Sequence, residues 1–80
     1  MAHDMENKIR EFISLRFMRG KGTVSDSESL FSSGIVDSLK LMELIAFVEK
    51  EYGISVNMNE VTVNNFDSIN SICGLIKSKK

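Results

Sequence analysis

The sequence predicts an all-α fold: a four-helix bundle of three long helices and one short helix, with a long loop between helices one and two, in a single domain over residues 1–80. Three observations carry that reading. Apolar residues recur at helical spacing in three separate stretches. The short β-branched run Ile54-Ser55-Val56 has nothing to pair with, and a chain of 80 residues with no cysteine pair has room for one small core.

The first helix is expected over residues 4–19. Asp4 is a candidate N-cap, Glu6 suits the positive end of the helix dipole, and Met5, Ile9, Phe12, Ile13 and Phe17 share one face until Gly20 supplies a left-handed C′ residue. The following 18 residues, Gly20 to Asp37, are rich in Gly, Ser and Asp. Connections beyond about 12–15 residues are uncommon in compact domains, and those that occur cross a bundle or build a site. Leu30 and Phe31 are expected to pin the middle of this one to the core.

The second helix is expected from Ser38 to Tyr52, capped by Asp37 and ended by Gly53, with Leu41, Leu44, Ile45, Val48 and Tyr52 as its core stripe. Leu39, Met42 and Ala46 form a second apolar arc. Either this helix lies centrally with neighbours on several sides, or the arc is left open for a partner. Phe47, off the main stripe, is undecided in the same way. Beyond Gly53 the chain reads as loop, then one helical turn over residues 60–64. Asn65 or Asp67 is expected to cap a last helix in which Phe66, Ile69, Ile72, Cys73 and Ile76 keep the helical period into a solvated end at Lys77, Lys79 and Lys80.

Composition narrows the function. The apolar fraction is 42%, yet the longest apolar run, Leu44 to Val48, falls far short of the roughly 20 residues a membrane span needs. No stable membrane insertion is expected. Met1 to Arg10 is charged throughout and has no apolar core of the secretory kind, and the single Cys73 fits a reducing compartment, so a cytoplasmic location is expected. The net charge of −1 hides an uneven distribution: between Thr23 and Asp67 eight acids stand against Lys40 and Lys50, a local charge of −6. Nucleic acid is a poor partner for such a surface, and a basic protein is a good one.

No catalytic constellation can be assembled. Nucleophilic catalysis wants serine or cysteine beside an oriented base, and the single histidine, His3, lies at a chain end; one histidine and one cysteine far apart do not make a metal site. The stretch Gly20-Lys21-Gly22-Thr23 lacks the spacing and the preceding strand of a phosphate loop. Cys73 falls on the apolar stripe of the last helix and reads as a buried structural residue. Ser38 stands out. Serine near a helix start is ordinarily a cap, but Asp37 can already fill that role, which leaves Ser38 at the first helical position with its hydroxyl able to point outward from a bundle end. A phosphodiester formed there would lie against free N–H groups and the positive end of the dipole.

The stretch Leu30-Phe31, then Gly34-Ile35-Val36-Asp37-Ser38-Leu39, Met42-Glu43-Leu44-Ile45 and Val48-Glu49-Lys50-Glu51-Tyr52-Gly53-Ile54, resembles the acyl carrier protein and peptidyl carrier protein superfamily, and Asn65-Phe66-Asp67-Ser68-Ile69 continues the likeness. It covers nearly the whole chain. The resemblance implies that Ser38 is the attachment site of 4′-phosphopantetheine, transferred from coenzyme A by a separate magnesium-dependent phosphopantetheinyl transferase. The thiol of that arm, and not Cys73, would hold an acyl or aminoacyl group as a thioester. Asp37, Leu39, Met42 and Glu43 match positions that meet partner enzymes in the family: a loading ligase, then a downstream acyltransferase or synthase. A monomer without catalytic activity of its own is implied. Lys40 departs from the pattern of fatty acid synthesis carriers, which commonly have an acid there. The chain looks more like discrete carriers of specialised pathways, including D-alanyl and other aminoacyl carriers, than like a fatty acid carrier. The rival expectation is a small helical adaptor that binds a partner through Leu39, Met42 and Ala46 with Ser38 unmodified.

Overall fold

A computed structural model describes residues 4–79, which form four α-helices and one 3₁₀ turn with no strand among them. Helix α1 spans Asp4–Phe17, α2 Ser38–Tyr52, α3 Val63–Phe66 and α4 Ile69–Lys79, and the 3₁₀ turn Met58–Glu60 precedes α3. Three long helices and a short one are thus as the sequence predicts. His3 and Lys80 lie outside the described residues.

Helix α1 stops two residues earlier than expected. The chain turns left-handed at Arg19 (φ 56°) as well as at Gly20 (φ 73°), and the N–H groups of Met18 and Gly20 both return to the Ser14 carbonyl, at 3.2 and 2.8 Å. Asp4 is also not the cap that spacing suggests. It lies within the first turn, beside Glu6 at the positive end of the dipole.

The core draws on all four helices and on the long loop. Ile9 and Ile13 of α1, Leu44, Ile45 and Val48 of α2, Phe66 of α3, and Ile69, Ile72, Cys73 and Ile76 of α4 are buried together with Val24, Leu30 and Val36 of the long loop. Leu41 and Tyr52, expected in the α2 stripe, are half-buried at its edge.

Helices α1 and α2 meet antiparallel in a ladder with a rung every fourth residue. Lys8 Nζ lies 2.6 Å from Glu51 Oε2, the Phe12 and Phe47 rings stack with centroids 4.1 Å apart, and Arg16 Nη2 lies 3.5 Å from Glu43 Oε2. Residues four apart share a helix face, so rungs at 8, 12 and 16 against 51, 47 and 43 fix one register. The ring pair contributes about 0.5–1.5 kcal/mol beyond its buried area, whereas exposed ion pairs contribute about 0–1 kcal/mol. Phe17 adds an edge contact to Phe12 at 5.6 Å. Phe47, undecided from sequence, therefore packs on α1.

Past Gly53, a left-handed cap (φ 66°), the irregular stretch at 54–57 is tied back by the Val56 N–H donating to Glu49 Oε2 at 2.8 Å. The single turn expected over 60–64 resolves into two. Glu60 accepts from the Asn57 N–H at 2.8 Å to close the 3₁₀ turn, and Thr62 Oγ1 accepts from the Asn65 N–H at 3.3 Å to open α3. Asn65 therefore sits inside α3, where its amide donates to the Glu60 carbonyl at 2.8 Å, and Phe66 is the last residue of α3 and no part of α4. The cap of α4 is Ser68, whose Oγ accepts from the Ser71 N–H at 3.1 Å. Its far end is less solvated than expected: Lys79 Nζ pairs with Glu60 Oε1 at 2.9 Å.

The Asn57 N–H, reinforced by Lys79, holds the Glu60 carboxyl below its ordinary range. A carboxyl depressed in the folded state stabilises the fold above its unfolded pKa, and that contribution is lost as pH falls through the folded value. Urea midpoints of wild type and Glu60→Gln, followed from neutral pH into acid, should therefore differ most at neutral pH and converge at low pH. A constant gap would show that Glu60 acts through packing alone.

Candidate functional site

The loop between α1 and α2 is held from three sides. On the α1 side, Arg10 donates through Nε to the Val24 carbonyl at 3.1 Å and pairs with the Asp26 carboxylate. From α4, the Asn70 N–H donates to the Asp26 carbonyl at 3.0 Å. From the bend before α4, Asp67 supplies most of the remaining anchor. Its carboxylate accepts from Ser29 Oγ at 2.8 and 3.0 Å and from the Phe31 N–H at 3.1 Å, while its carbonyl accepts from the Leu30 N–H at 2.6 Å. Leu30 in turn is fully buried and its carbonyl accepts from the Val36 N–H at 3.1 Å, one residue before the cap of α2. Gly34 takes the left-handed conformation (φ 81°) that lets the chain reverse between these two anchors.

This frame delivers Asp37 and Ser38 to a defined place. Asp37 is extended (φ −122°, ψ −168°), its Oδ1 accepts from the Lys40 N–H at 3.0 Å and its carbonyl from the Leu41 N–H at 2.8 Å. The cap is thereby complete without Ser38. Ser38 is exposed, its hydroxyl bonds to none of the described residues, and the N–H groups of Ser38 and Leu39 keep the unpaired state natural to a first helical turn. An exposed hydroxyl beside free N–H donors at the positive end of a 15-residue helix can accept a bulky group and stabilise an anion joined to it.

The second apolar arc of α2 faces outward. Leu39 is 80% and Met42 61% exposed, and Ala46 is exposed with them, which decides between the covered and the open alternatives. Glu43, on the same side, is half-exposed and faces Arg16. Asp37 is committed to the cap and Lys40 lies within the first turn. The reactive groups elsewhere are quiet: Cys73 is buried in α4, and burial, with Glu6 adding to it, pushes its thiol up to about 11. Lys21 and Gly22 follow a helix, and the Gly22 carbonyl accepts from Ser14 Oγ, which is no geometry for cradling phosphate.

Sequence spacing singled out Ser38 and Asp37 and found the second apolar arc without deciding whether it is covered, but it offered Asn65 or Asp67 as the cap of α4 and gave Arg10 no role. The signal for Asp67 was present only in part. The Asp67-Ser68 pair offers two caps for one helix, which leaves one of the two acceptors free for a contact elsewhere.

A small helical protein with one exposed, uncommitted serine at a capped helix start, flanked by an outward apolar strip, has the features of a carrier that bears a prosthetic arm. Comparison with known proteins agrees. Residues 7–76 match the family model described as phosphopantetheine attachment site, and the chain belongs to that family. It is 31% identical over 77 residues to "Probable acyl carrier protein PigG" of Serratia sp. (strain ATCC 39006), covering 95% of this chain and 88% of that one. It is 32% identical over 73 residues to the D-alanyl carrier protein of Streptococcus uberis (strain ATCC BAA-854 / 0140J), covering 91% of each. Among solved structures, a chain from one described as "Crystal structure of FAD-dependent dehydrogenase" superposes with a TM-score of 0.78 at 25% identity, over 85% of this chain and 97% of that chain. The protein is a carrier without catalytic activity, and its prosthetic group is 4′-phosphopantetheine. No helix among the described residues is long and apolar enough to cross a membrane.

Replacing Asp67 by alanine deprives two loop donors, the Ser29 hydroxyl and the Phe31 N–H, of their acceptor. The unpaired donors left behind cost about 1–3 kcal/mol, and amide hydrogen exchange at Leu30, Phe31 and Val36 should accelerate before that of the α1 core. If exchange rises uniformly along the chain, Asp67 supports the fold globally and does not serve the loop in particular.

Proposed function

We propose that Ser38 bears the 4′-phosphopantetheine arm and that residues 1–80 form one carrier domain for acyl or aminoacyl groups. The observation that carries this is the uncommitted Ser38 hydroxyl at the start of α2, exposed while Asp37 caps the helix in its stead. The arm supplies a thiol, which holds the cargo as a thioester at the end of a flexible tether. The chain's own contribution is to present the attachment point, offer N–H donors and a helix dipole to the phosphodiester, and dock the enzymes that use the cargo.

Docking falls to Asp37, Leu39, Met42 and Glu43. Leu39 and Met42 supply a small apolar contact, and a small interface suits a carrier that must leave each partner quickly. The partners are a phosphopantetheinyl transferase, an acyl- or aminoacyl-loading ligase, and a downstream acyltransferase or synthase. The likeness to D-alanyl carriers at 32% and 29% identity, together with Lys40 in the first turn of α2, favours a specialised or aminoacyl pathway over fatty acid synthesis. The protein works as a cytoplasmic monomer.

Two measurements test the reading. With coenzyme A, magnesium and a broad-specificity transferase, the wild-type mass should rise by one phosphopantetheine and Ser38→Ala should not gain it; a wild type that stays unmodified would favour the adaptor. Met42→Ala should slow loading while leaving helical circular dichroism and the urea midpoint in place, because the side chain is 61% exposed. Loss of the fold in that variant would assign Met42 to the core.

A further inference from the structure

We infer that Arg16 is a specificity-setting residue that engages Glu43 in an intramolecular ion pair and so weakens docking to partners with a basic rim. This rests on the proposed carrier role and the α2 docking face. The acid that would meet a partner's cation already faces one of its own, because Arg16 Nη2 lies 3.5 Å from Glu43 Oε2. The pairing is imposed by the seam. The Phe12–Phe47 stack and the Lys8–Glu51 pair set the register of α1 against α2, and one further helical step brings residue 16 opposite residue 43. At the docking face the remaining charges offset one another. The exposed Asp37 carboxylate stands near Lys40 in the first turn, and the exposed face of α2 continues to Lys50, for which the described residues supply no ion-pair partner. An acid-bearing chain therefore presents a nearly neutral apolar strip, and partners are selected by shape and apolar contact more than by charge attraction.

The contact is also suited to being exchanged. Its two side chains are 60% and 50% exposed, and such pairs are worth about 0.2–1 kcal/mol, so a partner's lysine or arginine can displace Arg16 at small cost. Arg16 thus acts as a competitor for Glu43 and not as a permanent mask. Lysine in its place would keep the charge and the competition, while alanine would free the carboxylate.

The test is a double-mutant cycle on arm loading by a broad-specificity phosphopantetheinyl transferase with a lysine- and arginine-lined docking rim, followed by intact mass at subsaturating carrier. Arg16→Ala should raise the loading rate by about 1.4- to 5-fold, the range that an exposed pair of this strength converts to. The gain should be smaller in the Glu43→Gln background, Arg16→Lys should behave as wild type, and the coupling should fade as the Debye length falls from about 10 Å at 0.1 M salt to about 3 Å at 1 M. Equal gains in both backgrounds, or slower loading by Arg16→Ala with its helical circular dichroism intact, would overturn the inference while leaving the carrier role standing. A wild type that never gains the arm, or a Ser38→Ala variant that does, would sink both.

Discussion

The Asp67 carboxylate is the constraint on which the functional end of this protein depends. An 18-residue connection with five serines and three glycines has ample freedom to wander, and ordering it costs conformational entropy at every residue. Asp67 concentrates the compensation at one point: Ser29, Leu30 and Phe31 are all bound by a residue that lies 36 or more positions away in sequence. Once Leu30 is fixed and buried, Val36 follows through its bond to the Leu30 carbonyl, and the start of α2 has little choice of position. The bend between α3 and α4 thereby positions a serine that it never touches.

Within that frame, two neighbouring residues divide labour that a single one performs in most helices. Asp37 satisfies the first-turn donor and complements the dipole. The Ser38 side chain is exposed and makes no hydrogen bond to the described residues, so esterifying its hydroxyl, as proposed above, would break none of the contacts that hold the fold. The ladder between α1 and α2 completes the arrangement by holding the rest of α2 in register, with its apolar arc outward and Phe47 inward.

Much of this could be read from residue order alone, and the failures have physical causes. The α2 limits were readable because Asp37 and Gly53 are strong, local start and stop signals, and the apolar periods contain the buried residues of α1 and α4, although Phe66 falls in α3 and Met5, Phe12 and Phe17 only flank the core. The α1 end was misplaced because a left-handed arginine is rare enough that Gly20, one residue later, was the better expectation. The 58–66 region was blurred because two adjacent turns of three and four residues carry no period to detect. Exposure of Leu39 and Met42 could not be decided, since an apolar arc looks the same whether a neighbour or solvent covers it. Asp67, Arg10 and the Arg16–Glu43 rung escaped for a common reason: each joins segments far apart in sequence, and spacing says nothing about such meetings.

The burial of Cys73 in α4 has a practical consequence for a protein whose cargo travels as a thioester. A sulfur shut inside the bundle, and kept protonated at neutral pH, offers no landing point for a wandering acyl group, so transthiolation onto the chain itself is closed off. In the intact folded state the tether's sulfur is then the single accessible thiol. A fluorogenic maleimide added to separate aliquots would leave the polypeptide without its arm dark, light up on the free arm, and leave the acylated arm dark, which turns a bland core residue into the reason that this carrier's occupancy can be read without separation.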